Sequence, residues 1–169
     1  MTAPDRGFTI TRLLGAPREA VWRAWTDPAR LGWFFNPDHD PGADAVSVDL
    51  RVGGAWRQRM VISADTSYVT GGVYRAIDPP ERLVFTWGAV GGWPELDPAD
   101  PESAEAPLAT VLLNDLGERT ELVFRLDFPA GVDTERLQAW LARGVREGWT
   151  GTIDRLVTAT VATEESRMS

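Results

Sequence analysis

Hydrophobic and polar residues near the N-terminus predict one strand followed by two short helices. Residues 8–14 alternate between apolar and polar positions, as a strand does. Residues 17–26 place Val21 and Trp25 on one helical face. The Asp-Pro pair at residues 27–28 is typical of a helix start and predicts a second short helix that ends near residue 35.

Six further alternating segments predict an antiparallel meander. They lie at about residues 45–51, 55–62, 68–77, 83–87, 108–114 and 120–128. Gly53 and Gly54 separate the first two segments and raise the question of a phosphate-binding loop. Such a loop needs a helix after the glycines, whereas an alternating run follows here, so the pair favours a hairpin turn. A second pair, Gly71 and Gly72, predicts a bulge or bend within its strand.

Apolar residues at helical spacing predict one long C-terminal helix that begins after a capping Asp133. At about 28 residues this helix would be about 40 Å long. No other predicted helix could cover the apolar face of the sheet, so the sheet should wrap around it. The predicted fold class is α+β, in one domain over residues 1–169 with a core at 8–157. The remainder is an acidic mobile loop at 88–107 and a frayed tail at 163–169.

The composition narrows the classes of partner and chemistry. The net charge of the 169-residue chain is -8, so nucleic acid and anionic membrane surfaces are not expected partners. There is no cysteine, and every one of the 17 basic residues is arginine. Disulfides, thiolate sites and lysine Schiff bases are therefore excluded. The sequence shows neither a signal peptide nor a long apolar stretch, which predicts a cytoplasmic protein.

Four stretches of the sequence carry a family resemblance. They are APREAVWRAWTDPARL (Ala16–Leu31), VDLRVGGAWRQRM (Val48–Met60), GGVYRAIDPPERLVFTW (Gly71–Trp87) and EGWTGTIDRL (Glu147–Leu156). Together they resemble the activator of heat-shock-protein-90 ATPase homologue-like family, within the START/Bet v 1-like superfamily, also called SRPBCC. The resemblance covers about residues 8–156. It implies a helix-grip fold, in which a curved antiparallel sheet grips a long C-terminal helix.

The resemblance also implies a class of function. By this resemblance we expect the chain to bind apolar ligands between sheet and helix, as members of the superfamily do. Some of these members are polyketide cyclases or aromatases. A few eukaryotic relatives assist the chaperone Hsp-90. The shared motif positions, among them Asp49, Gly53 and Pro79, are structural and not catalytic in the family.

The sequence predicts a ligand cavity between the sheet and the C-terminal helix, with aromatic walls. The predicted lining residues are Trp33, Trp56, Gln58, Met60, Phe85, Trp87, Val111, Leu113, Trp140, Val145 and Trp149. We expect a volume on the order of 300 Å3, which would cost about 7 kcal/mol if it stayed empty. Gln58 either orients a polar group of the ligand or bonds to backbone or water. Tyr74 and Arg75 point to opposite faces, and the sequence leaves open which one reaches the interior.

Other candidate residues point to weaker hypotheses. His39, between Asp38 and Asp40, fits a solvated loop, with a metal ligand or an acid–base role as the alternatives. The acidic residues at 95–105 fit a flexible insertion or a lid over the cavity. We predict no catalytic residue, no metal site and no cofactor.

The main prediction is thus the binding of a small hydrophobic or aromatic molecule. One alternative is a cyclase or hydrolase acting on such a ligand. The sequence shows no clear acid–base pair facing the cavity, which disfavours this enzyme although the alternative stays open. The other alternative is a protein-interaction or chaperone-associated module. A homodimer formed through exposed tryptophans is also left open.

Overall fold

The computed structural model describes residues 7–27, 46–63, 65–89, 107–129 and 132–168. The strands are β1 (Gly7–Leu14), β2 (Val46–Val48), β3 (Ala55–Ser63), β4 (Thr66–Asp78), β5 (Arg82–Thr86), β6 (Gly88–Ala89), β7 (Leu108–Asp115) and β8 (Thr120–Asp127). The helices are α1 (Arg18–Thr26), α2 (Thr134–Ala142) and α3 (Val145–Met168). The second short helix predicted after residue 27 lies outside the described residues, as do residues 90–106 of the predicted acidic loop.

One antiparallel sheet contains all the strands of the described chain. Its order is β1-β8-β7-β5-β4-β3-β2, and the two-residue strand β6 pairs with β4 beside this path. The predicted meander is confirmed, because its six strands follow each other with only β6 added. Strand β1 joins the meander at its far end by pairing with β8. The α+β class is therefore confirmed, with a large antiparallel sheet and a C-terminal helix.

The hairpin between β2 and β3 turns at Gly53, whose φ angle is 85°. A positive φ costs glycine little and most other residues more, which explains the residue type. The Gly53 N–H donates to the carbonyl oxygen of Tyr74 at 2.8 Å, and the Tyr74 N–H donates to that of Gly54 at 3.0 Å. The turn interpretation is confirmed, and the turn is also attached to β4.

Strand β4 changes partners along its length, next to the second glycine pair. Thr70 and Gly71 pair with β6, whereas Tyr74 to Asp78 pair with β5. A Cβ atom at Gly72 would overlap the carbonyl oxygen of Thr86, so the close approach of the two strands requires glycine there. The shift in register lies between Tyr74 and Ala76, slightly beyond the glycines where a bulge was expected.

The core joins the helices to one face of the sheet. Residues of β8 alternate between buried and half-buried along the whole strand, as expected for one face on the core. Thr120 at the start of β8 donates its hydroxyl to the carbonyl oxygen of Ala16 at 2.8 Å, which ties the start of α1 to the sheet. On α1, Val21, Trp22 and Trp25 are buried.

The prediction of one unbroken C-terminal helix is wrong. Asp133 caps α2 as predicted, because its carboxylate accepts the N–H of Arg136 at 2.8 Å. The helix then breaks at Gly144, whose φ angle of 99° does not fit a right-handed helix. Helix α3 restarts at Val145 and continues to Met168, through most of the segment predicted as a frayed tail. No helix in the described segments has the length and apolar character needed to cross a membrane.

Candidate functional site

A small cavity lies between the end of α1 and the inner face of strands β2 to β5. Its lining residues are Trp25, Val48, Trp56, Gln58, Tyr74, Leu83 and Phe85. The cavity has a volume of about 20 Å3, which is room for about one water molecule. This cavity is far smaller than 300 Å3, and its described lining comes from α1 and strands β2 to β5.

Aromatic rings fill the space between α3 and the sheet. Trp149 stacks on Phe124 of β8 at a centroid distance of 4.5 Å, and it meets Trp87 edge-on at 5.3 Å. Trp25 of α1 lies against the same Phe124 at 6.2 Å, with the two planes inclined by 13°. The rings of α1, β8 and α3 therefore meet in the interior.

Gln58 is the polar group of the cavity. It lies on β3 between Val46 of β2 and Thr70 of β4, on the same face as Trp56. Only 2% of the residue is exposed. Its side-chain oxygen Oε1 has no hydrogen-bond partner among the described residues. Because most buried polar atoms in proteins are paired, this oxygen calls for an explanation.

Two donors close to Gln58 in the sheet bond to backbone carbonyls. The indole N–H of Trp56 donates to the carbonyl oxygen of Thr86 at 3.3 Å. The hydroxyl of Thr70 donates to the carbonyl oxygen of Gly88 at 2.7 Å. Both bonds satisfy backbone groups where β4 meets β5 and β6. The Trp56 N–H and the Thr70 hydroxyl are therefore used by the backbone.

Tyr74 is the second polar group on the cavity wall. The residue is buried, and its ring meets Phe85 edge-on at 6.5 Å. Burial raises the pKa of its phenol well above the ordinary value of 10.0, because the phenolate would lose its hydration. Tyr74 therefore stays neutral at physiological pH. The exposed neighbour Arg75 points away, which answers the question that the sequence left open.

No ionisable acid or base in the described chain lines the cavity apart from the Tyr74 phenol. The arginine next to Gln58, Arg57, lies on the other face of β3. Its guanidinium donates to the carbonyl oxygens of Trp56 and Gly72 at 2.7 and 3.0 Å, and burial lowers its pKa. The described lining of the cavity is thus uncharged and aromatic, and its polar groups are one amide, one phenol and the indoles of Trp25 and Trp56.

The structure places the predicted site residues in three groups. Trp56, Gln58 and Phe85 line the cavity. Another group is buried in the core without lining it: Val111, Leu113, Trp140, Val145 and Trp149, with Trp87 half-buried against them. The third group lies outside the described residues and comprises Trp33, the side chain of Met60, His39 and the acidic residues at 95–105.

Four lining residues were not among the predicted ones: Trp25, Val48, Tyr74 and Leu83. Val48 could have been found, because the Gly53-Gly54 turn brings it opposite Trp56, and opposite residues of an antiparallel pair share a face. Trp25 carried no such signal. Its helical periodicity predicts burial, but where α1 crosses the sheet depends on packing between distant segments.

Comparisons with known proteins identify similar sequences and folds. A family model described as Activator of Hsp90 ATPase homolog 1-like protein matches residues 15–160. A search of curated proteins found no significant match.

Solved structures of bacterial proteins share the fold. Mll3558 of Rhizobium loti is 28% identical, with a TM-score of 0.63 over 90% of this chain and 94% of that one. Ms6760 of Mycobacterium smegmatis is 24% identical, with a TM-score of 0.71 over 91% and 90%. NE0264 of Nitrosomonas europaea is 20% identical, with a TM-score of 0.72 over 98% and 99%. The likeness to each extends over nearly the whole of both chains.

Proposed function

This chain belongs to the family of Activator of Hsp90 ATPase homolog 1-like proteins, and from that premise we propose that it binds a small aromatic molecule at the cavity between α1 and strands β2 to β5. The SRPBCC-type fold of the family commonly binds hydrophobic ligands. For this chain we propose a specific site, the cavity beside α1, and a specific class of ligand, small aromatic molecules. The walls that support it are aromatic, formed by Trp25, Trp56 and Phe85.

The single observation that carries the proposal is the unpartnered oxygen of Gln58. A buried acceptor without a donor costs about 1–3 kcal/mol. A hydrophobic residue of similar size would avoid this cost if the position served packing alone. Small-molecule sites are usually apolar pockets with a few polar groups, and an acceptor without a donor among the described residues, in a cavity with aromatic walls, fits that arrangement.

Ligand binding requires the cavity to grow beyond 20 Å3. Strand β2 is the wall that can move most easily, because it has three residues and ends the sheet. Its only strand partner in the described sheet is β3. Val48 of β2 is half-buried, whereas Trp56 and Phe85 are held deep in the core. Displacing β2 would therefore open the cavity and would cost the contacts of Val46 and Val48 with the core.

Thermal unfolding in the presence of naphthalene derivatives tests the proposal. At 100 times its dissociation constant, a ligand adds about 2.7 kcal/mol to the unfolding free energy. For a chain of this length that corresponds to a rise in Tm of about 5–11 °C. The decisive variant is Val48→Trp, which places an indole in the cavity wall and should abolish the rise.

Val52→Trp is the matched control, because Val52 lies in the same hairpin and is 64% exposed. It should keep the full rise in Tm. An equal rise in Tm for both variants would mean that the ligand binds outside this cavity. No rise in Tm of the wild-type protein with any naphthalene derivative would overturn the proposed function.

A further inference from the structure

We propose that this site selects neutral ligands that carry a hydrogen-bond donor beside an aromatic ring, as a phenol does, and that Gln58 determines this selectivity. The inference rests on the proposed function and specifies its ligand class. It depends on three features of the described residues: the free acceptor, the absence of charge on the walls, and the position of Gln58 next to Trp56.

The first feature is the direction of the missing hydrogen bond. Gln58 Oε1 can only accept a proton, and the structure shows no donor for it among the described residues. The flanking Trp56 N–H and Thr70 hydroxyl donate to backbone carbonyls and are not available. A ligand O–H or N–H would complete the pairing. A ligand acceptor at the same point would set its lone pair against that of the Gln58 oxygen.

The second feature is the absence of charge on the cavity wall. No arginine, aspartate or glutamate is among the described lining residues. A carboxylate ligand would lose its hydration without gaining a cationic partner, and it would also face the Gln58 oxygen. A cationic ligand would likewise lack a counter-charge. Since burying an unpaired charge is costly, the site favours neutral molecules.

The third feature is the spacing of Gln58 and its aromatic neighbours. Trp56 and Gln58 are two residues apart on one face of β3, about 7 Å along the strand. Phe85 meets Trp56 edge-on at 5.3 Å. A ring held against these two aromatic side chains would direct a substituent on its rim toward Gln58. A hydroxyl or amide attached to the ring therefore fits better than one at the end of a long chain.

Binding measurements with three matched probes test the inference. They are 1-naphthol, which has a donor, 1-fluoronaphthalene, which has none, and 1-naphthoate, which is an anion at pH 7. Their dissociation constants are measured with the wild-type protein, Gln58→Leu and Gln138→Leu. Gln138 is the other glutamine of the chain and lies exposed on α2, so it is a matched control.

The expected result is a preference for 1-naphthol over both other probes in the wild-type protein and in Gln138→Leu. In Gln58→Leu the preference for 1-naphthol over 1-fluoronaphthalene should fall by about tenfold, the effect of one hydrogen bond. Gln58→Met, which also lacks the acceptor oxygen, provides a second test if the leucine variant folds poorly.

Two results would contradict the inference in different ways. If 1-naphthoate binds as tightly as 1-naphthol, or Gln58→Leu keeps the full preference, the selectivity is wrong although binding stands. If none of the three probes binds the wild-type protein, the proposed function itself fails.

Discussion

The indole of Trp149 on α3 stacks on the phenyl ring of Phe124 on β8, with centroids 4.5 Å apart and planes inclined by 30°. Both residues are almost fully buried. This pair occupies the space between the C-terminal helix and the sheet, where the sequence predicted a cavity. It therefore links the helix to the sheet.

Replacing Trp149 with alanine should destabilise the protein strongly. The change removes the stacked ring and leaves a hole against Phe124 and Trp87, for which we expect a loss of about 3–5 kcal/mol of unfolding free energy. Urea denaturation followed by circular dichroism measures it. Leu116→Ala is the control, since Leu116 is 56% exposed in the β7–β8 turn and should change stability by less than about 0.5 kcal/mol. A loss below about 1 kcal/mol for Trp149→Ala would show that the ring is not packed as described.

Alanine at two glycines should have opposite effects on stability. At Gly72 the added Cβ overlaps the carbonyl oxygen of Thr86, so β4 and β5 must separate and the unfolding free energy should fall by more than about 1 kcal/mol. At Gly148 on α3 the added Cβ meets nothing, and alanine favours the helix by about 0.8–1.0 kcal/mol. Thermal unfolding of the two variants should therefore shift Tm in opposite directions, and a lower Tm for Gly148→Ala would contradict the helix described at that residue.

The sequence allowed the sheet to be predicted nearly strand by strand, because its signals are local. Alternation over residues 108–114 and 120–128 indicates strands with one face packed against the core, and the Gly53-Gly54 turn defines the first hairpin. The break at Gly144 was missed because apolar residues keep helical spacing on both sides of it. A glycine within such a pattern is compatible with a helix, so the periodicity alone could not show the change in φ.

The candidate site was predictable only in part. Trp56, Gln58 and Phe85 follow from alternation within single strands, which places their side chains on the inner face. The size of the cavity does not follow from alternation, because it depends on how far Trp25 and Trp149 extend from two helices toward Phe124. Phe124 lies 99 positions from Trp25 and 25 positions from Trp149 in the sequence, and no local pattern encodes the distances between these rings.

Alkaline pH should destabilise the protein through Tyr74. Its folded pKa is raised by burial, whereas the unfolded pKa is about 10. Above pH 10 the unfolded chain releases this proton and the folded protein keeps it, so the unfolding free energy falls by up to about 1.4 kcal/mol per pH unit. The loss begins near pH 10 and continues toward the folded pKa. Urea denaturation between pH 9 and 11.5 measures the slope.

Tyr74→Phe tests the assignment, because phenylalanine keeps the ring and removes the ionisable hydroxyl. The variant should lose stability less steeply above pH 10 than the wild-type protein. The composition makes the comparison clean, since the chain has no cysteine and no lysine and only one other tyrosine. Identical slopes for the two proteins would mean that the phenol of Tyr74 ionises as freely in the fold as in the unfolded chain.

Gln58→Leu should stabilise the ligand-free protein. Leucine removes an acceptor that is 2% exposed and unpartnered among the described residues, and it adds apolar contact with Trp56 and Phe85. Removing an unsatisfied buried group should return about 1–3 kcal/mol of unfolding free energy, a rise in Tm of at least about 2 °C for a chain of this size.

The same substitution at exposed Gln138 should leave Tm within about 1 °C, because no buried polar atom is removed there. If Gln58→Leu is more stable but loses ligand selectivity, Gln58 serves binding and lowers the stability of the fold. A lower Tm for Gln58→Leu would instead mean that the amide oxygen is hydrogen-bonded in the free protein. That oxygen would then need no donor from a ligand.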